Sequence, residues 1–192
     1  MSRTVDEERP IELREAVLEY LLQNGLADLS LRPLAKAVGS SPRGLLYHFG
    51  SKEKMLMDAI GLLRVRQRDL FSQMQAESFS EATGLVWRHM SSPAAEPQWR
   101  LFFELYGIAL RHPALYKDFL DSAFKDWLAF SVEQLRSEGH KSSDASLMAT
   151  VVLAGFRGFL MDLCATHDRI RVNRAVTAWL KTLDAMAPSI RK

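Results

Sequence analysis

Residues 31–55 read Leu31-Arg-Pro-Leu-Ala-Lys-Ala-Val-Gly39-Ser-Ser-Pro-Arg-Gly-Leu-Leu-Tyr47-His-Phe-Gly-Ser-Lys52-Glu-Lys-Met55. Leu31, Leu34, Ala35 and Val38 fall at helical spacing behind Ser30, a good N-cap, and Gly39 ends the run. After two serines, Pro42 sits where a first helical turn tolerates proline. Leu45, Leu46 and Phe49 then anchor a second short helix that stops at Gly50. Ser51 caps a longer one with Met55, Leu56, Ala59, Ile60 and Leu63 in register. Working outward, Pro10 suits the first turn of a preceding helix. Its apolar stripe is Leu13, Ala16, Val17, Tyr20 and Leu21, and Asn24-Gly25 stops it. Residues 10–50 therefore predict three short helices, the last two joined by a tight glycine-containing turn. That is the spacing of a helix-turn-helix.

The net charge of +2 over 192 residues is uninformative as a total but not as a distribution. Between Ser30 and Lys54 stand Arg32, Lys36, Arg43, Lys52 and Lys54 against Glu53 alone, a local charge of about +4. Residues 1–29 carry three arginines against seven acids, about −4. A basic block behind an acidic lead coincides with the helix-turn-helix.

Apolar residues at 47% and charged residues at 25% exclude a disordered chain, a collagen-like repeat and a disulfide miniprotein. One cysteine, Cys164, excludes an internal disulfide and a cysteine-based zinc site, and fits a reducing cytosol. No secretory leader is read at residues 1–8. The apolar stretch 147–163 contains Arg157 and Asp162 and reads as too short for a membrane span. The expected location is cytoplasmic, with no membrane partner. The five histidines have no metal-ligand spacing, and no Gly-x-Ser-x-Gly elbow or phosphate loop occurs. Neither an enzyme, a metal nor a cofactor is expected. Cys164 and His167, three apart on one helix, lack an orienting carboxylate and read as packing.

Downstream, helices are expected from the fourth one to Gln75, from Ser80 to Met90, from Gln98 to Arg111 and from about Ala114 to Ser137. Two more run from a Ser143 cap to about Thr166 and from about Val172 to Ala187. The fold class is all-α, with about nine helices.

The block from Leu34-Ala35 through the Ala37-Val38-Gly39 turn and Ser41 to Tyr47-His48-Phe49-Gly50-Ser51-Lys52-Glu53 resembles the DNA-binding segment of the TetR family of transcriptional regulators. The likeness covers roughly residues 10–60. One departure stands out. Many members read Leu-Tyr-x-x-Phe, whereas Leu45-Leu46-Tyr47-His48-Phe49 moves the tyrosine one position, about 100° around the helix. The resemblance implies a DNA-binding domain over 1–55 and a helical effector-binding and dimerisation domain over 56–192.

Physical chemistry supports the same site residues. A helix entering the major groove needs small and polar residues on its N-terminal face, here Ser41, Pro42, Arg43 and Gly44. Arg43 has the fork to contact guanine O6 and N7 together, and Gly44 allows close backbone approach. Tyr47 and His48 can donate to phosphates. Lys52, at the positive end of the fourth helix, adds charge, and Arg32 is placed to clamp the backbone. In the larger domain, aromatic residues concentrate between 87 and 130. Trp87, Phe103, Tyr106, Trp127 and Arg157 are the candidate lining of a pocket for an apolar or aromatic effector. Val152, Phe156, Phe159, Trp179 and Leu183, on the last two helices, are the candidate homodimer surface.

The expected function is a homodimeric repressor that binds a palindromic double-stranded operator and is released by a small molecule. Two alternatives stay open: a helical enzyme or carrier whose helix-turn-helix is only packing, and a DNA-binding activator answering a protein partner.

Overall fold

The computed structural model describes residues 4–73, 76–123 and 125–190. Among them it holds ten helices and no strand: α1 Thr4–Asn24, α2 Leu31–Ala37, α3 Pro42–Phe49, α4 Lys52–Ser72, α5 Phe79–Met90, α6 Glu96–Arg111, α7 Lys117–Ser122, α8 Lys125–Ser137, α9 Ser142–Thr166 and α10 Arg169–Ile190. The helix count exceeds the expected nine by one, because the stretch 114–137 is not continuous. It forms α7 and α8, with a turn at Ala123 between them.

Several boundaries move for identifiable reasons. α1 starts at Thr4, so Pro10 lies within it rather than in its first turn. α5 starts from Ser78, not Ser80. The Ser78 hydroxyl accepts from the Glu81 N–H at 3.2 Å, and the Glu81 carboxylate accepts from the Glu77 N–H at 2.8 Å, a reciprocal cap. α9 is capped at Lys141 with no side-chain bond; Ser143 instead donates to Asp144 at 3.2 Å. Ser30 is the N-cap of α2 in backbone conformation, yet its side chain makes no capping bond.

Contacts divide the chain into two compact units, Met1–Asp69 with Arg100–Leu120, and Leu70–Trp99 with Asp121–Lys192. These units cut differently from a division at residue 55, because α6 from Arg100 onward packs with the N-terminal helices. The core of the first unit holds Val17, Leu21, Leu34, Leu45, Phe49 and Ile60 together with Leu101 and Leu105 of α6, all nearly inaccessible. The second is built on α9, whose Ala149, Val152, Phe156, Leu160 and Leu163 are buried, with Val172 and Val176 of α10. α9 has 25 residues and a window of mean hydropathy 1.6, long and apolar enough by composition to cross a membrane. The apolar segment is thus longer than the stretch 147–163 taken from the sequence, and one face of it serves as core.

Candidate nucleic-acid interface

The turn between α2 and α3 is made by Gly39, whose φ of +65° suits glycine. Ser41 then caps α3, its hydroxyl accepting from the Gly44 N–H at 3.0 Å. This explains the glycine in a way the sequence did not reveal. A Cβ on Gly44 would stand 2.9 Å from the Ser40 Oγ and 3.2 Å from the Ser41 Oγ, inside the cap itself. Leu45 and Phe49 are buried and fix the inner face of α3. Leu46 is exposed, so the expected trio of anchors reduces to two.

The helix wheel therefore turns Arg43 and Tyr47, one turn apart, toward solvent. Tyr47 is 93% exposed. Neighbouring Leu46, which occupies the place where many family members carry tyrosine, is 40% exposed. Ser41 is exposed, while Pro42 and Gly44 are half-buried at the start of the helix. His48 is half-buried and meets Phe49 edge-on at 4.6 Å between ring centroids, so packing already holds its ring. Arg32 and Lys36 are exposed on α2.

Lys52 differs from the simple phosphate-binding expectation. Its Nζ donates to the Leu29 carbonyl at 2.7 Å, pinning the start of α4 to the loop ahead of α2. An ammonium has three donors, so one is committed inside the chain. Ser51 caps the same helix end, accepting from the Lys54 N–H at 3.1 Å.

Residues 100–120 support this assembly from far along the chain. The Glu104 carboxylate accepts from the Leu26 N–H, and a Cβ on Gly25 would lie 3.0 Å from its oxygens. Tyr116, almost fully buried, has its phenol pushed above the ordinary range by burial, with the Glu53 carboxylate adding to the effect. No local sequence signal joins positions 78 residues apart, and Glu104 and Tyr116 were missed for that reason.

The effector expectation is redistributed. Phe103 and Tyr106 belong to an aromatic cluster of the first unit, with Phe102 stacked on Tyr106 at 5.7 Å and tilted against Phe119 at 5.9 Å. Within the second unit, a narrow hollow of about 20 Å³ lies between α5, α8 and α9. Trp127 lines it, as do Phe79, Phe130, Phe156, Thr83 and Ser131. Trp87 is buried behind Phe156 at 5.4 Å and donates to the Asn173 side chain at 2.9 Å, so it is core rather than lining. Arg157 turns its Nε to the Leu153 carbonyl of its own helix.

The dimer expectation needs correction at two residues. Val152 and Phe156 are buried and line the hollow, because they lie on the inward face of α9. Phe159 and Trp179 are half-buried and pack on each other at 5.4 Å, and Leu183 is half-buried. The outward stripe of α9 is Leu147, Val151, Ala154, Gly158 and Met161. Asp162 pairs with Arg171. The two bonds, 2.9 and 2.7 Å, hold its carboxyl below the ordinary range.

A basic helix-turn-helix with its recognition helix turned to solvent defines a DNA-binding regulator. Residues 13–59 match the family described as bacterial regulatory proteins, tetR family. Over that segment the chain is similar to the DNA-binding part of a family of transcriptional regulators. Solved structures share the fold over nearly the whole length. A transcriptional regulator from Rhodococcus sp. Rha1 has a TM-score of 0.78 at 18% identity, covering 95% of this chain and 98% of that one. A chain from Rhodococcus sp. described as TetR-family gives 0.75 at 20%, covering 96% and 100%. A regulator from Saccharomonospora viridis, solved in complex with choline, gives 0.70 at 17%, covering 94% and 95%. At these identities the likeness is one of fold. No curated protein matches the chain.

Proposed function

We propose that the chain is a cytoplasmic homodimeric repressor that reads a palindromic operator with α3 and leaves it when a small molecule occupies the second unit. The observation that carries the reading is the solvent face of α3, where Arg43 stands one turn from a tyrosine that is 93% exposed. An aromatic side chain so exposed contributes little to its own fold, whereas its hydroxyl can donate to a phosphate beside an arginine reading a base.

Two copies supply two such helices, which must sit about 34–36 Å apart to enter successive major grooves. The outward apolar stripe of α9 is the proposed joint, since Leu147 and Met161 remain more than half exposed in the single chain. Release then follows from linkage: a ligand that favours a dimer with different spacing weakens operator binding by its preference between the two states. The hollow lined by Trp127 is the proposed ligand site, and a neighbour of the same fold that holds choline favours a small-molecule effector.

Duplex binding measured against salt tests the DNA-binding part. Affinity is expected to fall steeply and linearly on logarithmic axes, with a slope set by the phosphates contacted. Absence of duplex binding at low salt would leave the helix-turn-helix as packing alone.

A further inference from the structure

Three large side chains of α3 are exposed: Arg43, Leu46 and Tyr47. Arg43 and Tyr47 have roles in the proposed DNA contact, and Leu46 has none. It is 40% exposed, while Leu45 beside it and Phe49 at the end of the helix are inaccessible. Geometry accounts for this. With Leu45 and Phe49 fixing the inward face, Leu46 is turned about 100° from Leu45, onto the flank. It stands three positions from Arg43, so the two side chains are neighbours, about 60° apart around the axis and about 4.5 Å apart along it. Successive base pairs of a duplex rise by about 3.4 Å. A helix that offers Arg43 to one base pair therefore offers Leu46 to a neighbouring one.

A lone exposed leucine is ordinary on a protein surface. This one lies on a helix of eight residues, next to the arginine at the head of its exposed face. The major groove presents hydrogen-bond donors and acceptors, which leucine cannot satisfy, and one apolar group, the 5-methyl of thymine. Leucine pressed on a donor or acceptor strips its water and returns no bond. On the methyl it buries apolar surface on both partners. Resting on the reading of α3 as the helix that enters the groove, we infer that Leu46 is a specificity residue of the operator contact. It packs on the 5-methyl group of a thymine within two base pairs of the position that Arg43 contacts.

The test uses the intact protein and the duplex that it enriches most strongly from a random pool. Each thymine is replaced in turn by deoxyuridine, which removes the methyl group and leaves every hydrogen-bonding edge in place. Affinity is read by titration. One thymine in each half-site, within two base pairs of the position relaxed by Arg43→Ala, is expected to be sensitive. Uracil there should weaken binding roughly fourfold per half-site, the effect of one buried methyl group. In Leu46→Ala, thymine and uracil at that position should bind alike, whereas replacements elsewhere act as in the wild type. The free variant should melt close to the wild type, because the side chain is already open to water. An operator with no uracil-sensitive thymine, or sensitivity that survives Leu46→Ala, would overturn the inference. So would a variant that melts far lower and weakens thymine and uracil duplexes equally. In each of those cases the enriched duplex is still read, and the regulator reading stands. Failure to enrich any duplex at low salt would overturn both.

Discussion

At the scale of single residues, Arg43 and Lys52 illustrate how similar charges acquire different roles. Arg43 is exposed on α3 and free to meet a base edge, whereas Lys52 already spends a donor on the Leu29 carbonyl. Arg43→Ala should lower operator affinity by about 1–3 kcal/mol and relax one base position, leaving the melting temperature nearly unchanged. Lys52→Ala should weaken all duplexes alike and also lower the stability of the free protein by about 1 kcal/mol. Titration against operators changed base by base, together with thermal melts, separates the two. An Arg43 variant that loses affinity uniformly, or a Lys52 variant with unchanged melting, would contradict these assignments. The caps and apolar spacing made Ser41, Leu45 and Phe49 legible in the sequence. The intrachain bond of Lys52 was not, because it depends on where a loop 23 residues away returns.

Elements were legible where apolar periodicity coincided with a capping residue, as in α3 and α4. They were less so where one periodic stretch concealed a break, as between α7 and α8. The inward and outward faces of α9 were the hardest to assign. That helix is apolar on both sides, and periodicity alone cannot tell a core stripe from a docking stripe. Gly155 is decisive here: a Cβ there would lie 2.4 Å from the Trp179 ring, so this small residue admits a neighbouring helix of the same chain. Gly158, with open space around it, belongs to the other face. Gly155→Ala should destabilise the protein by about 1–3 kcal/mol through overpacking, although alanine favours helix. Gly158→Ala should be neutral or stabilising in a monomeric background. Chemical denaturation of both variants checks the contrast.

For the whole molecule, the basic block at residues 30–54 is the part of the charge pattern that falls on the helix-turn-helix. The division into contact units adds what no local pattern carried, the support given to that surface by Glu104 and Tyr116. In the proposed function, a dimer is the step that would turn one reading helix into a palindrome reader. Val151→Glu, on the outward stripe of α9, should shift the protein toward monomer in sedimentation and weaken operator binding, while the fold remains intact. Full dimerisation in that variant would move the joint elsewhere. The most direct test of the central claim is selection of bound duplexes from a random pool by the intact protein. The expected result is a palindrome whose half-sites lie about 10 base pairs apart, or a multiple of that, and whose preference at one base position of each half-site relaxes with Arg43→Ala. An enriched pool without two-fold symmetry, or no enrichment at all at low salt, would contradict it.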